Sequence, residues 1–352
     1  MNFFTKLSYR PFFIKLLHWE YWSFSAVYGP IYIVWVLICV RTRSFFFFNA
    51  ANPTIKNGGF LLESKMDIYN IMPRQYYPPT ILLKAGLPKS EIRNAVHTSN
   101  LAYPIIGKPD IGGRGKGVKK LYTEQDVIEY AAASKVDFLL QQFVPYKYEV
   151  GIFYYRYPGE AKGHISGIVS KEFLTVKGDG VSTIDTLLQK DKRFILQLPV
   201  LRATLADELK KIPAKDEKYL LVPYGNHARG AKFIDASHLI DDKLTAVIDD
   251  VCKQVPQFYF GRLDIMYNDW DEMKAGNGFS VIEVNGAGSE PTHIYDPVHS
   301  IFFAWKEIIR HWLLLARISR QNHKLHNIPY MRFADGIKMF KENSRYEKIF
   351  NE

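Results

Sequence analysis

The sequence predicts an α+β fold, in which strands and amphipathic helices are mixed along one chain. Three observations carry this. Gly261-Arg262-Leu263-Asp264 and Phe279-Ser280-Val281-Ile282-Glu283-Val284-Asn285-Gly286 alternate apolar with polar residues, as half-buried strands do. Residues 149–157 and 164–176 read as two further strands around the turn Pro158-Gly159-Glu160. Residues 241–255 instead place Leu244, Val247, Ile248 and Val251 on one face of a helix.

A chain of 352 residues can bury a sizeable core, as one large lobe or two to three smaller ones. The aromatic fraction of 15% is high, and its excess falls in the first fifty residues. The net charge of +10 admits anionic lipid, phosphorylated ligands or nucleic acid as partners. No helix-turn-helix, RNP or zinc-finger pattern accompanies the charge, so nucleic acid is not expected. Cys39 and Cys252 are too few for a disulfide framework or a zinc cluster, which points to a reducing compartment.

Residues 1–49 form an apolar and basic N-terminal segment. Lys6, Arg10 and Lys15 are interleaved with Phe3, Phe4, Phe12, Phe13 and Trp19, as in an interfacial segment. No charge then occurs from Trp22 to Val40, a length that could span a bilayer, although Gly29-Pro30 interrupts it. Arg41 and Arg43 follow, so basic residues flank both sides and give no orientation. A spanning helix, a membrane-dipping element bent at Gly29-Pro30 and a buried apolar arm all fit. A cleavable signal peptide is not expected, because no small-residue cleavage site follows the long apolar run. Residues 50–99 are a turn-rich lead-in to the soluble body, with a helix over 90–98.

The stretch Tyr103-Pro-Ile-Ile-Gly-Lys108 reads as a short strand ending in a lysine, and Gly112, Gly113, Gly115 and Gly117 follow it. Such a backbone can approach a polyphosphate without Cβ clashes; a mobile hairpin loop is the alternative. It matches neither the Walker A nor the G-x-G-x-x-G pattern. A helix over 123–134 is capped by Thr123, with Asp126 completing a capping box, and a buried strand over 138–144 follows. The turn Gly178-Asp-Gly-Val-Ser-Thr183 feeds a helix that the sequence caps with Ser182, and another helix is expected over 202–211. Residues 298–352 are a C-terminal helical extension with a basic edge, whose apolar helix over 300–320 reads as core or as a second membrane contact.

Chemistry concentrates on the strand pair. Residues i and i+2 share a face, so Arg262 goes with Asp264 and Glu283 with Asn285. Adjacent strands would join two carboxylates, an amide oxygen and a guanidinium on one surface. Hard oxygen donors suit Mg²⁺ and arginine suits a phosphoryl group, unless these charges simply pair with each other.

The ordered set of Lys108, glycine loop, helix, Gln141-Gln142-Phe143-Val144 hinge, Glu149, Arg262/Asp264 strand and Glu283-Val-Asn285 resembles the ATP-grasp superfamily of carboxylate–amine ligases. The resemblance covers residues 100–297. The 178–183 turn and the Gly225-Asn-His-Ala-Arg-Gly230 loop resemble the ATP-grasp modules of cyanophycin synthetase and bifunctional glutathione synthetase, and the strands resemble D-alanine:D-alanine ligase. The fold it implies is two α/β subdomains gripping ATP. Position by position, it implies Lys108 on the α- and β-phosphates under a mobile loop of Gly112, Gly113, Gly115 and Gly117. Adenine would be read by the backbone of Gln142, Phe143 and Val144, and the ribose by Glu149. Asp264, Glu283 and Asn285 would hold the Mg²⁺ ions, expected to be two, and Arg262 would steady an acyl phosphate. Arg229 is a second oxyanion candidate. Lys171 could reach a phosphate, with a surface lysine as the alternative, while His227 and His293 read as structural or substrate-contacting.

The activity that the resemblance implies is that of an ADP-forming ligase, joining a carboxylate to an amine. A catalytically silent nucleotide-binding scaffold and a phosphotransferase on the same fold are the alternatives. Residues 1–100 are too short and too aromatic to be the α/β domain that usually precedes an ATP-grasp module. The expected substrates are small-molecule or lipid-linked carboxylates and amines, and a membrane-seated N-terminus would suit a lipid-linked or envelope-precursor one, handled in the cytoplasm at the inner face of the membrane.

Overall fold

The computed structural model describes residues 10–113, 115–222 and 231–351. Among them the helices, in chain order, are α1 (Pro11–Leu17), α2 (Phe24–Tyr28), α3 (Tyr32–Thr42), α4 (Lys65–Ile71), α5 (Lys89–Thr98), α6 (Glu124–Ala133), α7 (Ile184–Gln189), α8 (Lys192–Ile195), α9 (Leu198–Thr204), α10 (Asp242–Lys253), α11 (Trp270–Lys274), α12 (Ile301–Leu325) and α13 (Phe333–Asn351). The strands are β1 (Thr80–Leu83), β2 (Ile105–Pro109), β3 (Lys119–Leu121), β4 (Phe138–Gln142), β5 (Tyr148–Tyr155), β6 (His164–Glu172), β7 (Leu174–Lys177), β8 (Lys218–Val222), β9 (Lys232–Asp235), β10 (Phe260–Tyr267) and β11 (Phe279–Asn285). The fold class is α+β, and the chain divides into two compact units.

The larger unit comprises Ile33–Ile168, Ala236–Pro291 and Ile308–Glu352. Its first sheet is antiparallel, in the order β1-β4-β2-β3. Leu83, Ile105, Leu121, Phe138 and Leu140 pack there with Ile92 and Val96 of α5 and Val127, Tyr130 and Ala131 of α6. Helix α6 starts where its capping box predicts, with both reciprocal hydrogen bonds between Thr123 and Asp126 formed.

A second antiparallel sheet places β10 between β11 and β5. One face is apolar: Val150, Ile152, Leu263, Ile265 and Val281 pack against Leu244, Ile248, Val251 and Cys252 of α10. Asp241 caps α10 by accepting a hydrogen bond from the Leu244 N–H at 2.8 Å. The opposite face carries the polar residues.

A third core explains part of the aromatic excess near the N-terminus. Phe46, Phe47 and Phe48 are buried with Phe153, Phe260, Leu315, Ile318 and Met339. The following lead-in segment is fixed to the second sheet by Asn52, which is fully buried. Its amide donates to the carbonyls of Gly58 and Phe260 at 2.9 and 2.8 Å and accepts from the N–H groups of Tyr259 and Phe260 at 2.9 and 3.0 Å. Gly58 and Gly59 both have φ near +70° (69° and 74°), and a Cβ on Gly59 would stand 2.6 Å from the Gly286 Cα. That glycine contact brings backbone against the end of β11, where Ala287 and Gly288 donate to the carbonyls of Gly58 and Gly59.

The smaller unit comprises Met1–Tyr32, Val169–Asp235 and Thr292–Glu307. Three details differ from the sequence reading. The strand expected over 164–176 is two strands, because Leu174 and Val176 of β7 turn into a core with Ile184, Leu188, Leu198 and Leu201, whereas Val169 of β6 packs with Ala231 and Phe233. Helix α7 is capped by Thr183 and not Ser182, since Asp179 takes both the N–H and the hydroxyl of Ser182 at 2.6 and 2.7 Å. The helix expected over 202–211 begins earlier, as α9, with Pro199 in its first turn, and leaves helical geometry at Leu205.

The charge-free run folds as α2, a 3₁₀ turn over Gly29–Ile31 and α3, so Gly29-Pro30 does break it. Phe24–Thr42 is long and apolar enough to cross a membrane by length and composition, and only 28% of it is buried.

Candidate active site

Register in the second sheet decides which side chains meet. Directly opposed residues of an antiparallel pair share a face, and Arg262 is opposite Asn285, Asp264 opposite Glu283, and Met266 opposite Glu149. Glu149, Arg262, Asp264, Glu283 and Asn285 therefore stand on the face away from α10. The expected strand pairing is present.

Two of these charges are already paired. Arg262 grips Asp264 in a two-pronged bridge, Nε to Oδ1 at 2.9 Å and Nη2 to Oδ2 at 3.1 Å. Burial opposes the charge on Arg262, but Asp264 outweighs it and the guanidinium pKa ends above its ordinary value. Arg262 also donates to the Glu290 carbonyl at 3.3 Å. Glu283 faces Lys65, 3.5 Å away. The amide Nδ2 of Asn285 is buried with no hydrogen-bond partner, an unsatisfied edge on the same face.

Lys108 stands at the end of β2, buried at 7% exposure. Its ammonium donates to Gln141 Oε1 at 2.8 Å, the Ile282 carbonyl at 2.9 Å and the Tyr69 hydroxyl at 3.1 Å. Ile282 is available because of a β-bulge: Asp264 pairs with Glu283 and Ile265 with Val281, which leaves Ile282 outside the ladder. Burial pulls the Lys108 pKa down to about 8, against the opposing pull of Glu283 and Asp110.

Lys65, Tyr69 and Glu63 come from the lead-in segment and were not singled out by sequence. Ser64 caps α4 by accepting from the Asp67 N–H at 3.0 Å, which sets Lys65 at the first helical position. The Lys65 ammonium donates to the Asp110 and Gly112 carbonyls, at the root of the glycine loop, besides facing Glu283. Tyr69 donates to the Ile282 carbonyl, and burial raises its pKa. Glu63 has one oxygen buried without a partner, and burial raises its pKa although Lys65 opposes the shift. The spacing Ser64-x-x-Asp67, a cap followed by an acid, was the signal that could have located this helix and its lysine.

In the loop, Gly112, Gly115 and Gly117 take positive φ of 111°, 64° and 72°. A Cβ at Gly112 or Gly113 would meet nothing within 4 Å, so a ligand could approach that backbone closely. The other end is anchored, with Tyr130 donating to the Gly117 carbonyl at 2.8 Å. Arg114 lies outside the described residues. Gln142 fixes the strand before the hinge by bonding both backbone groups of Ala102 at 2.9 Å. Phe143 and Val144 follow in the linker to β5, with the Lys120 ammonium 3.6 Å from the Phe143 ring centroid.

Lys171 belongs to the smaller unit and is buried, not a surface lysine. His293, in the same unit, is buried 3.3 Å from Glu307. Arg229, His227 and the 225–230 loop lie outside the described residues.

Among the described residues no group of three or more His, Cys, Asp or Glu side chains converges as a metal cluster. The set Asp264, Glu283 and Asn285 nevertheless fits a nucleotide-bound Mg²⁺ in type, since that ion is commonly held by one or two carboxylates plus phosphate oxygens. The unsatisfied Asn285 Nδ2 is a donor, so it adds a place for an acceptor such as a phosphate oxygen and not for the cation itself.

No family model and no curated relative matches the sequence. Solved structures similar to it include a bifunctional glutathione synthetase from Pasteurella multocida, at 14% identity and TM-score 0.37 over 69% of this chain and 34% of that one. They also include the VanG D-Ala:D-Ser ligase from Enterococcus faecalis, at 14% identity and TM-score 0.42 over 75% of this chain and 63% of that one. A D-alanine–D-alanine ligase from Bacillus anthracis matches at 15% identity and TM-score 0.40, over 76% of this chain and 71% of that one. The chain thus spans about a third of the glutathione synthetase and under two thirds of the D-Ala:D-Ser ligase.

Proposed function

We propose that this chain is an ATP-grasp enzyme, an ATP-dependent ligase that activates a substrate carboxylate as an acyl phosphate with release of ADP and then joins the acyl group to an amine with release of inorganic phosphate. The observation that carries this reading is one sheet face holding Glu149, Arg262, Asp264, Glu283 and Asn285, with Lys65 facing Glu283 and the adjoining Ile282 carbonyl bonded to Lys108.

The residues divide the work as phosphoryl transfer requires, where alignment and cations lower the barrier. Lys108 and Lys65, whose donors are engaged by protein partners, would supply positive charge beside the phosphates and exchange a partner for a phosphate oxygen, beneath the backbone of Gly112, Gly113, Gly115 and Gly117. Gln142, Phe143 and Val144 line the adenine edge and Glu149 takes the ribose. Asp264, Glu283 and Asn285 would hold Mg²⁺, which supplies positive charge to the transferring phosphoryl group when bound. Arg262, kept in place by Asp264, offers N–H donors to the acyl phosphate and to the oxyanion formed when the amine attacks. Arg229 and Lys171 are further candidates for the oxyanion and a phosphate. The substrates are small-molecule or lipid-linked acids and amines, handled on the cytoplasmic side.

One observation favours a second reading. Asp264 is bridged by Arg262 and Glu283 faces Lys65, so protein cations oppose both carboxylates, as a catalytically silent scaffold would also have them. Turnover separates the two. Mg²⁺-dependent ADP release with a hydroxylamine-trapped acyl hydroxamate is expected, and Asp264→Asn or Glu283→Gln should abolish both while circular dichroism shows the chain still folded, with a lowered thermal transition for Asp264→Asn because Arg262 loses its charged partner. Undiminished turnover in either variant refutes the assignment, and a stable phosphoester product would make the chain a phosphotransferase.

A further inference from the structure

Helix α3 is one-sided in a way that composition does not show. Ile38, Cys39 and Thr42 are buried, and Trp35 packs on Phe47 and on Trp312, with ring centroids 5.0 and 5.2 Å apart. Ile33, Val36, Leu37 and Val40 are instead 50–69% exposed, at positions i, i+3, i+4 and i+7. Four large aliphatic side chains thus form a continuous exposed stripe on a helix whose other face is fastened into the protein core.

The chain beyond the stripe continues the pattern. Phe45 is 62% exposed and its ring meets that of Phe333, 60% exposed, at the start of α13. Phe340, about two turns further along α13, is also exposed and contacts Phe46, as Phe333 does. Exposed basic residues accompany these rings: Arg41 and Arg43 on one side and Lys341 on the other, beside Lys338, which is paired with Glu342. The acids nearby are engaged, Asp335 with Arg332 and Glu342 with Lys338.

We infer that the α3 stripe, with Phe45, Phe333 and Phe340, is a seat on the surface of an anionic lipid bilayer, entered from one side and not spanned. An apolar stripe bordered by lysine and arginine is the chemistry of in-plane membrane binding, with aliphatic groups in the acyl boundary and cations at the headgroups. A spanning helix would be surrounded by lipid, but α3 holds one face against Phe47 and Trp312. In the smaller unit, α1 has the same character by itself, exposing Phe12, Leu16 and Leu17 beside Arg10 and Lys15.

The test is flotation of the full chain with phosphatidylcholine vesicles and with mixed phosphatidylcholine–phosphatidylglycerol vesicles, for the wild type, Val36→Glu/Leu37→Glu and Arg41→Glu/Arg43→Glu. Both substituted pairs are exposed, so folding should survive, as circular dichroism would check. The wild type should float with the mixed vesicles and release in high salt. Either double variant should lower the bound-to-free ratio about tenfold or more. Unchanged flotation of the Val36/Leu37 variant overturns the seat. So does protein that resists alkaline extraction, which would mean a spanning helix, or a vesicle-indifferent dimer that the same variant dissociates, which would mean a second copy covers the stripe. ADP release measured in detergent should be the same in all three proteins, so failure of the seat and failure of the ligase reading are distinguishable.

Discussion

Lys108 offers the sharpest test of the site's electrostatics, because one group links stability, pH and nucleotide binding. Burial lowers its pKa from the usual 10.5 to about 8, so between those values the unfolded chain holds a proton that the folded chain has lost. Stability from this group therefore rises with pH across that window. It is flat below about 8, where both states are protonated, and flat again above 10.5. The separation corresponds to about 3 kcal/mol at 1.36 kcal/mol per unit. The assay is urea unfolding of the wild type and Lys108→Met from pH 7 to 10.5, with the variant subtracting all other titrations. The difference in unfolding free energy should move in favour of the wild type by about 3 kcal/mol. A polyphosphate beside the ammonium should reverse the shift, so ATP binding near pH 8 should take up a proton, read as a buffer-dependent heat by calorimetry. A free-energy difference that changes by less than about 1 kcal/mol across the window would refute the burial argument.

Asn52→Ala removes four hydrogen bonds to buried backbone and should cost roughly 3–5 kcal/mol in urea unfolding, since orphaned groups carry their desolvation penalty; a loss below about 1 kcal/mol would mean that the 52–59 segment is not fixed as described. Gly59→Ala puts a methyl 2.6 Å from Gly286 Cα at positive φ, and turnover should fall more than it does for Gly86→Ala, which also has positive φ but open space. Thr123→Ala should cost about 1 kcal/mol, because it deletes the cap of α6 without touching the site. Lys65→Met should weaken ATP binding while the protein stays folded; an unchanged nucleotide affinity would show that its contact with Glu283 is structural only.

The strand face at β10 and β11 was legible because a period of two is local: Arg262 and Asp264 share a side whatever the rest of the chain does. The Thr123 capping box was legible for the same reason. Lys65, Tyr69 and Asn52 were hidden because their roles depend on residues far along the chain, Glu283 and Phe260 among them, and their segment reads as turns. The Ser182 cap failed on a local competition, in which Asp179 was the better acceptor for the Ser182 N–H and hydroxyl.

By itself the sequence determined which side chains could act together on each strand, where the glycines free the backbone and how apolar the N-terminal segment is. Only the tertiary structure decided their partners. It set Asp264 opposite Glu283, opened the ladder at Ile282 for Lys108, brought Lys65 to Glu283 and left one face of α3 in solvent while the other packs on Phe47 and Trp312. Local periodicity fixes the side on which a residue stands, whereas its partner depends on long-range register and burial, which are properties of the folded chain.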